Sequence, residues 1–193
     1  MDVAVIGTGF IGGILGRTLA GAGHRVTFGS RHPESDEVAG DSGTSVRSVA
    51  DALTSSEVVI LALPGPAVND LGTAFADQLA GKLVIDATNR MGEPVANSRS
   101  ALPSTVRYAR TFNTLGGENL ANPLFPDGPA DMFISAPEAD RATMEALVAA
   151  VGLRPVYVGP DEEDILDALF RLWIDLALKQ ARGRRLALRV LEG

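Results

Sequence analysis

The sequence contains no cysteine and only two lysines, Lys82 and Lys179. Without cysteine the chain has no disulfide, no thiolate metal site and no cysteine nucleophile, a composition that suits a reducing cytoplasm. Neither Tyr108 nor Tyr157 is followed by a lysine four residues later, as in the tyrosine-lysine pair of short-chain dehydrogenases. The scarcity of lysine also argues against the lysine acid of hydroxyacid dehydrogenases. We therefore expect a cytoplasmic protein that uses neither thiol chemistry nor a lysine acid.

Long apolar runs are missing as well. No uncharged apolar run approaches the length of about 18 residues that a transmembrane helix needs. Met1-Asp2 leads directly into a predicted strand, which is not typical of a secretory signal. The 193 residues are 46% hydrophobic and carry a net charge of -7, an acidic profile that repels nucleic acids and anionic membranes. We expect one main domain with no nucleic-acid or membrane partner.

The first thirty residues carry the clearest motif. The apolar run Val3–Ile6 is followed by Gly7, Gly9 and Gly12, then by a helical pattern that Gly23 is predicted to end, and then by a second apolar run at Val26–Phe28. The spacing G-x-G-x-x-G between a strand and a helix is typical of the phosphate-binding turn of a dinucleotide-binding fold. The first glycine allows the tight turn, the second lets the pyrophosphate approach, and the third lets the helix pack closely. The alternative is an ordinary glycine-rich turn.

Apolar runs and helical patterns alternate along the rest of the chain. Further strands are predicted at Val58–Leu63, Leu83–Ile85, Val106–Phe112, Met132–Ile134 and Val156–Val158. A short helix capped by Ser48 is predicted through Leu53, and further helices are predicted at Ala67–Ala80 and after Pro137. A surface loop is expected up to Gly43 and an irregular connection at Val95–Thr105. This alternation predicts an α/β fold with a doubly wound, mostly parallel Rossmann-type sheet and a small C-terminal helical appendage. We assign residues 1–160 to an NADP-binding domain and residues 161–193 to a substrate-side and dimerisation segment.

The last predicted helix, Asp164–Arg182, has an unusual surface. Its charged residues recur three or four positions apart, so that Asp167 is expected to pair with Arg171, and Asp175 with Lys179. The remaining surface is apolar over more of the circumference than a surface helix needs. We therefore predict that this helix packs against its own domain on one side and against a second subunit on the other, giving a homodimer.

The end of the second strand indicates which dinucleotide is bound. An NAD site places an acidic residue about 20 residues after the glycine motif, where it binds the ribose 2'-hydroxyl. This chain has Gly29 there, followed by Ser30 and Arg31. A guanidinium binds a 2'-phosphate through paired hydrogen bonds, whereas a carboxylate would repel it. The pattern favours NADP(H), the alternative being a polar turn. His32 either contacts the adenine or the phosphate, or faces solvent.

Other candidate residues follow later strands, at the carboxyl edge where such sheets bind ligands. Pro64 ends one strand, and Asn89 and Asn113 follow the next two. Each asparagine either bonds to ribose or substrate, or satisfies the backbone of a turn. His24 lies in a helix-to-strand turn, and the acidic run Asp161–Asp164 is attributed to the start of a helix. No catalytic acid and no metal site are therefore predicted.

Several segments along nearly the whole chain match one pattern. They are Gly7-Thr8-Gly9, Gly29-Ser30-Arg31, Phe112-Asn113-Thr114-Leu115, Glu118-Asn119-Leu120-Ala121-Asn122-Pro123, Gly152-Leu153-Arg154-Pro155 and Gly159-Pro160. Together they resemble the NADPH-dependent oxidoreductases of the deazaflavin coenzyme F-420. The resemblance implies a homodimer in which NADPH and a deazaflavin lie face to face and exchange hydride directly. Such a transfer needs ring alignment at about 3 to 3.5 Å rather than an acid.

The resemblance also implies site residues by position. Those implied to bind NADP(H) are Thr8, Gly9, Phe10, Ile11, Ser30, Arg31, Leu63 and Pro64, which join Gly7 and Gly12 of the motif. Gly117 would lie near the nicotinamide, and Asn113 and Leu115 near the second ring. Together with Asn89 from the carboxyl edge, these residues form the expected substrate-side set: Asn89, Asn113, Leu115 and Gly117. The expected acceptor is a deazaflavin or flavin-like ring. Two alternatives stay open: a reductase of a small imine or carbonyl compound, and an NADPH-binding sensor without turnover.

Overall fold

The structure is a computed structural model that describes residues 1–35, 38, 43–89, 97–191 and 193. The strands within these ranges are β1 (Asp2–Ile6), β2 (Arg25–Ser30), β3 (Thr44–Ser48), β4 (Val58–Leu61), β5 (Leu83–Asp86), β6 (Arg107–Arg110), β7 (Leu124–Phe125), β8 (Gly128–Pro129), β9 (Asp131–Ser135) and β10 (Arg154–Gly159). The helices are α1 (Phe10–Gly21), α2 (Val49–Thr54), α3 (Ala67–Ala74), α4 (Ala76–Leu79), α5 (Gly117–Ala121), α6 (Arg141–Ala150) and α7 (Glu163–Ile174), and a π-helical turn, Asp175–Lys179, continues α7.

Eight of the strands form one sheet in the order β10-β9-β6-β5-β4-β1-β2-β3. The six neighbouring strands β6, β5, β4, β1, β2 and β3 all run parallel. This order is typical of dinucleotide-binding folds. β9 is antiparallel to β6, and β10 is parallel to β9. The predicted doubly wound, mostly parallel Rossmann-type sheet is therefore confirmed, whereas the reversal at β9 was not anticipated.

The sheet is covered by apolar layers on both faces. Val3, Ala4, Val5 and Ile6 of β1 are all at most 1% exposed. Their alternate side chains enter two different clusters, one formed with α1 and α6 and the other with α2, α3 and α4. Burial on both faces explains why the central strands have continuous apolar runs instead of alternating patterns.

Two predicted features of the helices hold in the structure. α1 ends before Gly23, whose φ of 90° is in the left-handed region that glycine favours. The hydroxyl oxygen of Ser48 accepts a hydrogen bond from the backbone N–H of Asp51 at 3.2 Å and caps α2, as predicted. The predicted single helix at Ala67–Ala80 is two short helices, because Phe75 leaves the helical conformation at φ -125° and ψ 28°.

Several strand boundaries differ from prediction. β3 was not predicted, since its sequence Thr-Ser-Val-Arg-Ser has no apolar run, and it forms by pairing along β2 at the sheet edge. The strand predicted at Val58–Leu63 ends at Leu61. The strand predicted at Val106–Phe112 ends at Arg110, and Phe112 adopts a φ of 60° that cannot continue a strand. β4 and β6 are therefore shorter than their apolar runs, because the backbone turns before the run ends, and apolarity alone does not predict that turn.

The predicted helix Asp164–Arg182 ends earlier, after the π-helical turn at Lys179. The predicted pair between Asp175 and Lys179 is present, with Oδ1 and Nζ 3.3 Å apart. The predicted pair between Asp167 and Arg171 is wrong: Asp167 is 5% exposed and binds Arg110 in β6 instead. Asp167 lies on the buried side of α7, where Arg110 is its partner.

Two predicted connections fall partly outside the described residues, namely the surface loop up to Gly43 and the irregular segment Val95–Thr105. The described part of the second contains a 3-10 turn at Arg99–Ala101. Among the helices of the described ranges, none has the length and apolarity to cross a membrane.

Candidate functional site

A cavity of about 680 Å³ opens at the carboxyl ends of β1, β2 and β4. One wall is the glycine-rich turn from Ile6 to Gly9, and another is the end of β2 through His32. The third wall is formed by Leu63, Pro64 and the side of α3, up to Phe75. The volume is in the range of cofactor and ligand sites, and the position is the one at which parallel sheets bind nucleotides.

The glycines of the turn differ in their surroundings. Gly7 has a φ of 115°, and a Cβ atom there would lie 2.3 Å from the carbonyl oxygen of Ala62. A Cβ atom on Gly12 would lie 1.9 Å from the carbonyl oxygen of Gly7, so neither position accepts a side chain. A Cβ atom on Gly9 would meet nothing within 4 Å. The open space at Gly9 faces the first turn of α1, which has no side-chain cap and therefore offers backbone N–H groups to an anion.

The end of β2 provides a hydroxyl and a cation beside this turn. Ser30 is 8% exposed, and its hydroxyl oxygen accepts a hydrogen bond from the backbone N–H of His32 at 3.0 Å. Arg31 is exposed, lines the cavity and forms no ion pair within the described part of the chain. Asp70 on α3 lines the same cavity. Arg31 is thus placed to bind an anion that enters between the turn and β2.

The structure gathers most of the predicted cofactor residues around this one cavity. They are Gly7, Thr8, Gly9, Ser30, Arg31, Leu63 and Pro64. Phe10 and Ile11 lie beside the turn on α1, and the Phe10 side chain is 65% exposed. A Cβ atom on Gly117 would be 2.4 Å from the Phe10 ring and 2.8 Å from Ile11 Cδ1, so Gly117 packs against the start of α1.

The predicted substrate-side residues lie further along the carboxyl edge and do not line the cavity. Asn89 is partly buried, and its amide nitrogen donates to the backbone carbonyl of Asn113 at 2.9 Å. Asn113 is fully buried, and among the described residues its Oδ1 atom has no hydrogen-bond partner. Leu115 and Gly117 are buried as well. Their contact with an acceptor stays a prediction.

A buried ion cluster lies beneath these asparagines and was missed from the sequence. Arg110 is fully buried, and its Nε and Nη2 atoms donate to Asp167 Oδ1 at 3.1 and 2.6 Å. Its Nη1 atom lies 3.4 Å from Asp86 Oδ1, and Nη2 donates to Asn89 Oδ1 at 3.2 Å. The cluster joins the ends of β5 and β6 to α7. The available signal was a charged residue at the end of each of two neighbouring strands, Asp86 in β5 and Arg110 in β6.

The tyrosines and lysines are engaged away from the cavity. The Tyr108 hydroxyl donates to Asp86 Oδ2 at 2.8 Å, and burial raises the pKa of Tyr108 well above its ordinary value. The Tyr157 hydroxyl donates at 2.7 Å to the backbone carbonyl that follows β9. Lys82 donates to a backbone carbonyl at 2.5 Å, and Lys179 belongs to the pair on the turn after α7. None of these four side chains lines the cavity.

Comparison with known proteins agrees with this geometry. Residues 2–90 match the sequence model of the family described as NADP oxidoreductase coenzyme F420-dependent. This is the family that the sequence resembles, and the match covers a little less than half of the chain. The match includes the glycine-rich turn, the end of β2 and the residues after β4, which are the walls of the cavity.

Curated relatives match more of the chain at lower similarity. The rat metalloreductase STEAP3 is 27% identical over 166 residues, which are 81% of this chain and 33% of that protein. A glycerol-3-phosphate dehydrogenase [NAD(P)+] of Corynebacterium glutamicum is 27% identical over 186 residues, covering 83% of this chain and 54% of the enzyme. The chain therefore spans a third to about half of the length of these relatives. The family description and the dehydrogenase name both denote NAD(P)-dependent oxidoreductases, the class expected from the sequence.

Solved structures share the fold. A protein from Arthrobacter sp. FB24 with the provisional name F420-dependent NADP reductase superposes with a TM-score of 0.82 at 22% identity, over 100% of both chains. An imine reductase from Streptomyces aurantiacus gives a TM-score of 0.70 at 18% identity, over 94% of this chain and 64% of its own. At these identities the likeness shows the architecture alone, and both kinds of enzyme use it.

Proposed function

We propose that this protein is an oxidoreductase that transfers hydride between NADPH and a deazaflavin (coenzyme F-420) or flavin-like ring. The observation that carries the proposal is the pairing of Arg31 with Ser30 beside the open Gly9 turn, in a chain whose Gly29 replaces the acid of an NAD site. The family match of residues 2–90 supports the same cofactor and names the same acceptor.

The cavity provides for each charged part of NADPH. The pyrophosphate would lie over Gly9, where the N–H groups of the first turn of α1 and the helix dipole favour negative charge. The 2'-phosphate would lie between the Arg31 guanidinium and the Ser30 hydroxyl. Leu63 and Pro64 provide an apolar wall on the other side of the dinucleotide.

In this proposal the protein contributes to catalysis by aligning the nicotinamide with the acceptor ring. When bound, NADPH supplies the hydride, and a ring acceptor takes it up with a proton from solvent, so no side chain has to donate a proton at the reacting atom. The engaged tyrosines and lysines are consistent with such a reaction. The exposed Phe10 ring provides an apolar surface beside the turn, on the side of Gly117.

We also infer a homodimer formed through α7. Its buried side packs on β6 and β9 of the same chain, whereas Ile165, Leu172 and Leu178 on the helix and its π-helical continuation are 47%, 46% and 45% exposed. A second subunit would cover this apolar surface.

The acceptor can be tested by following NADPH oxidation spectroscopically with coenzyme F-420, with free flavin, and with a panel of small imines and carbonyl compounds. We expect turnover with the deazaflavin or the flavin. Turnover confined to imines or carbonyls would replace the proposal with the corresponding reductase. Tight NADPH binding without any oxidation would support a sensor.

The cofactor can be tested independently of the acceptor. Arg31→Ala should weaken NADPH binding by about tenfold to a hundredfold, the loss expected for charge-assisted hydrogen bonds, and should leave NADH binding nearly unchanged. Titration calorimetry with both dinucleotides measures the two effects. Arg141→Ala on α6, where the arginine pairs with Glu145 far from the cavity, is the matched control. Equal losses for NADPH and NADH would contradict the 2'-phosphate contact.

A further inference from the structure

Asp70 is the only acidic residue among the described residues that line the cavity. It lies in the first turn of α3, and its side chain is exposed. Within the described part of the chain its carboxylate forms no ion pair, and Arg31 on the β2 wall forms none either. A carboxylate beside a ligand with several phosphates weakens binding by charge repulsion, unless it meets a hydrogen-bond donor of that ligand.

The rest of the α3 wall is apolar. Ala67, Leu71 and Ala74 line the cavity together with Asp70, because residues three or four positions apart share one face of a helix. Phe75, at which α3 ends, continues this wall. The wall therefore combines an apolar surface with a single hydrogen-bond acceptor.

The proposed phosphate contacts leave this wall for the base of NADPH. The 2'-phosphate and the adenine are attached to neighbouring carbon atoms of one ribose. A 2'-phosphate held by Arg31 and Ser30 therefore keeps the adenine next to the end of β2, and the pyrophosphate occupies the turn at Gly9. The cavity extends from β2 to α3, so the base lies against the apolar face of α3.

We propose that Asp70 is a specificity-determining residue for the base: its carboxylate accepts a hydrogen bond from the 6-amino group of adenine. This amino group is the only N–H donor that adenine keeps once it is attached to ribose, so it is the only group of the base that satisfies a carboxylate. A carbonyl oxygen at the same position would face Asp70 with a second acceptor. The inference rests on the proposed NADPH site and adds recognition of the base to that of the phosphates.

The test compares NADPH with reduced nicotinamide hypoxanthine dinucleotide phosphate. In this analogue a carbonyl oxygen replaces the 6-amino group, and all phosphates are kept. Titration calorimetry gives the dissociation constants of both ligands for wild type, Asp70→Ala and Asp77→Ala. Asp77 is the matched control, since it is exposed and lies in the first turn of α4 but does not line the cavity.

The ratio of the two dissociation constants is the quantity that decides. Removing a negative charge changes the attraction for phosphates equally for both ligands, so this effect cancels in the ratio. Wild type should bind NADPH about tenfold more tightly than the analogue, the loss expected for a charge-assisted hydrogen bond. Asp70→Ala should bind both ligands almost equally, whereas Asp77→Ala should keep the wild-type ratio.

Two results would overturn the inference. The first is a wild-type protein that binds the analogue as tightly as NADPH. The second is an Asp70→Ala protein that keeps the wild-type ratio, which would also be the outcome if the carboxylate bound a ribose hydroxyl instead. A wild-type protein that binds neither ligand would instead remove the proposed function, so the two failures are distinguishable.

Discussion

Gly9 and Gly12 of the glycine-rich turn have opposite surroundings. Substitutions at these two positions should therefore separate an effect on cofactor binding from an effect on the stability of the fold. Gly9→Ala introduces a Cβ atom into open space, so the protein should keep its free energy of unfolding within about 0.5 kcal/mol. The methyl group would nevertheless enter the space that the pyrophosphate needs, and the dissociation constant for NADPH should rise at least about tenfold. Gly12→Ala instead meets the Gly7 carbonyl oxygen and should destabilise the fold by about 3 kcal/mol.

Urea denaturation and NADPH titration of both alanine variants check this prediction. A Gly9→Ala protein that binds NADPH as tightly as wild type would show that the open space is not the pyrophosphate site. A stable Gly12→Ala protein would show that α1 can move away from the turn.

A second residue-scale prediction concerns Asp167. Removing this carboxylate with Asp167→Ala leaves the buried guanidinium of Arg110 with only part of its partners, which should cost about 3 to 5 kcal/mol of stability. The matched control is Asp175→Ala on the turn that continues the same helix. Its pair with Lys179 is exposed, and its loss should change stability by less than about 1 kcal/mol. Similar urea midpoints for the two variants would contradict a structural role for the buried cluster.

At the scale of elements, residues 180–191, which follow the π-helical turn after α7, fold back over α5 without forming a helix or strand. Arg184 pairs with Glu118 at 2.5 Å and lies over the Trp173 ring at 5.6 Å. The Trp173 indole N–H donates to the backbone carbonyl of Leu186 at 2.8 Å, and the buried Asn119 donates to the carbonyls of Arg184 and Leu186 at 3.0 Å each. Arg184, Arg185 and Arg189 of this segment thus bind groups of their own chain, beside α5, which packs on α1.

This docking should depend on pH. The Arg184 guanidinium holds the pKa of the Glu118 carboxyl below its ordinary value of 4.5. Because docking favours the ionised carboxylate, its contribution is fully present at neutral pH and is lost as the pH falls through the lowered pKa. Trp173 is the single tryptophan of the chain, so its fluorescence should report release of the segment in acid.

The Glu118→Gln variant is the control for this prediction. Glutamine keeps the shape of the side chain but does not titrate, so the part of the fluorescence change due to this contact should be absent. An identical acid transition in both proteins would show that the change does not come from the contact between Glu118 and Arg184.

At the scale of the whole molecule, the apolar outer side of α7 is the proposed dimer interface. Ile165 and Leu172 are seven positions apart on it, with the partly buried Leu169 between them, so they form one stripe. Sedimentation of the wild-type protein should therefore show a dimer at micromolar concentration. Leu172→Glu should give a folded monomer, because a charge at that position would have to be desolvated in the interface. A wild-type monomer, or a dimer unaffected by Leu172→Glu, would contradict an interface through α7.

The order β-α-β at the start, the glycine turn and the position of Ser30 and Arg31 at the end of β2 were predictable because each depends on neighbouring residues. Local patterns also placed α6 after Pro137 and the cap of α2. They could not identify the ion-pair partner of Asp167. Arg171, which is near it in the sequence, and Arg110, which is near it only in the folded chain, are both chemically reasonable partners. Local patterns also missed β3, which forms only because β2 offers an unpaired edge.

The sequence by itself determined the mostly parallel sheet, its glycine-rich turn and the Gly29-Ser30-Arg31 end of β2, on which the proposed 2'-phosphate contact rests. Periodicity and glycine spacing are local properties, and local backbone geometry follows from them. Only the tertiary structure decided the contacts between distant segments. It buried Arg110 between two carboxylates, docked the last segment on α5, and placed Asp70 of α3 on the cavity that Arg31 lines. Such contacts depend on which segments the fold brings together, and burial then selects the pairs that satisfy charge and volume.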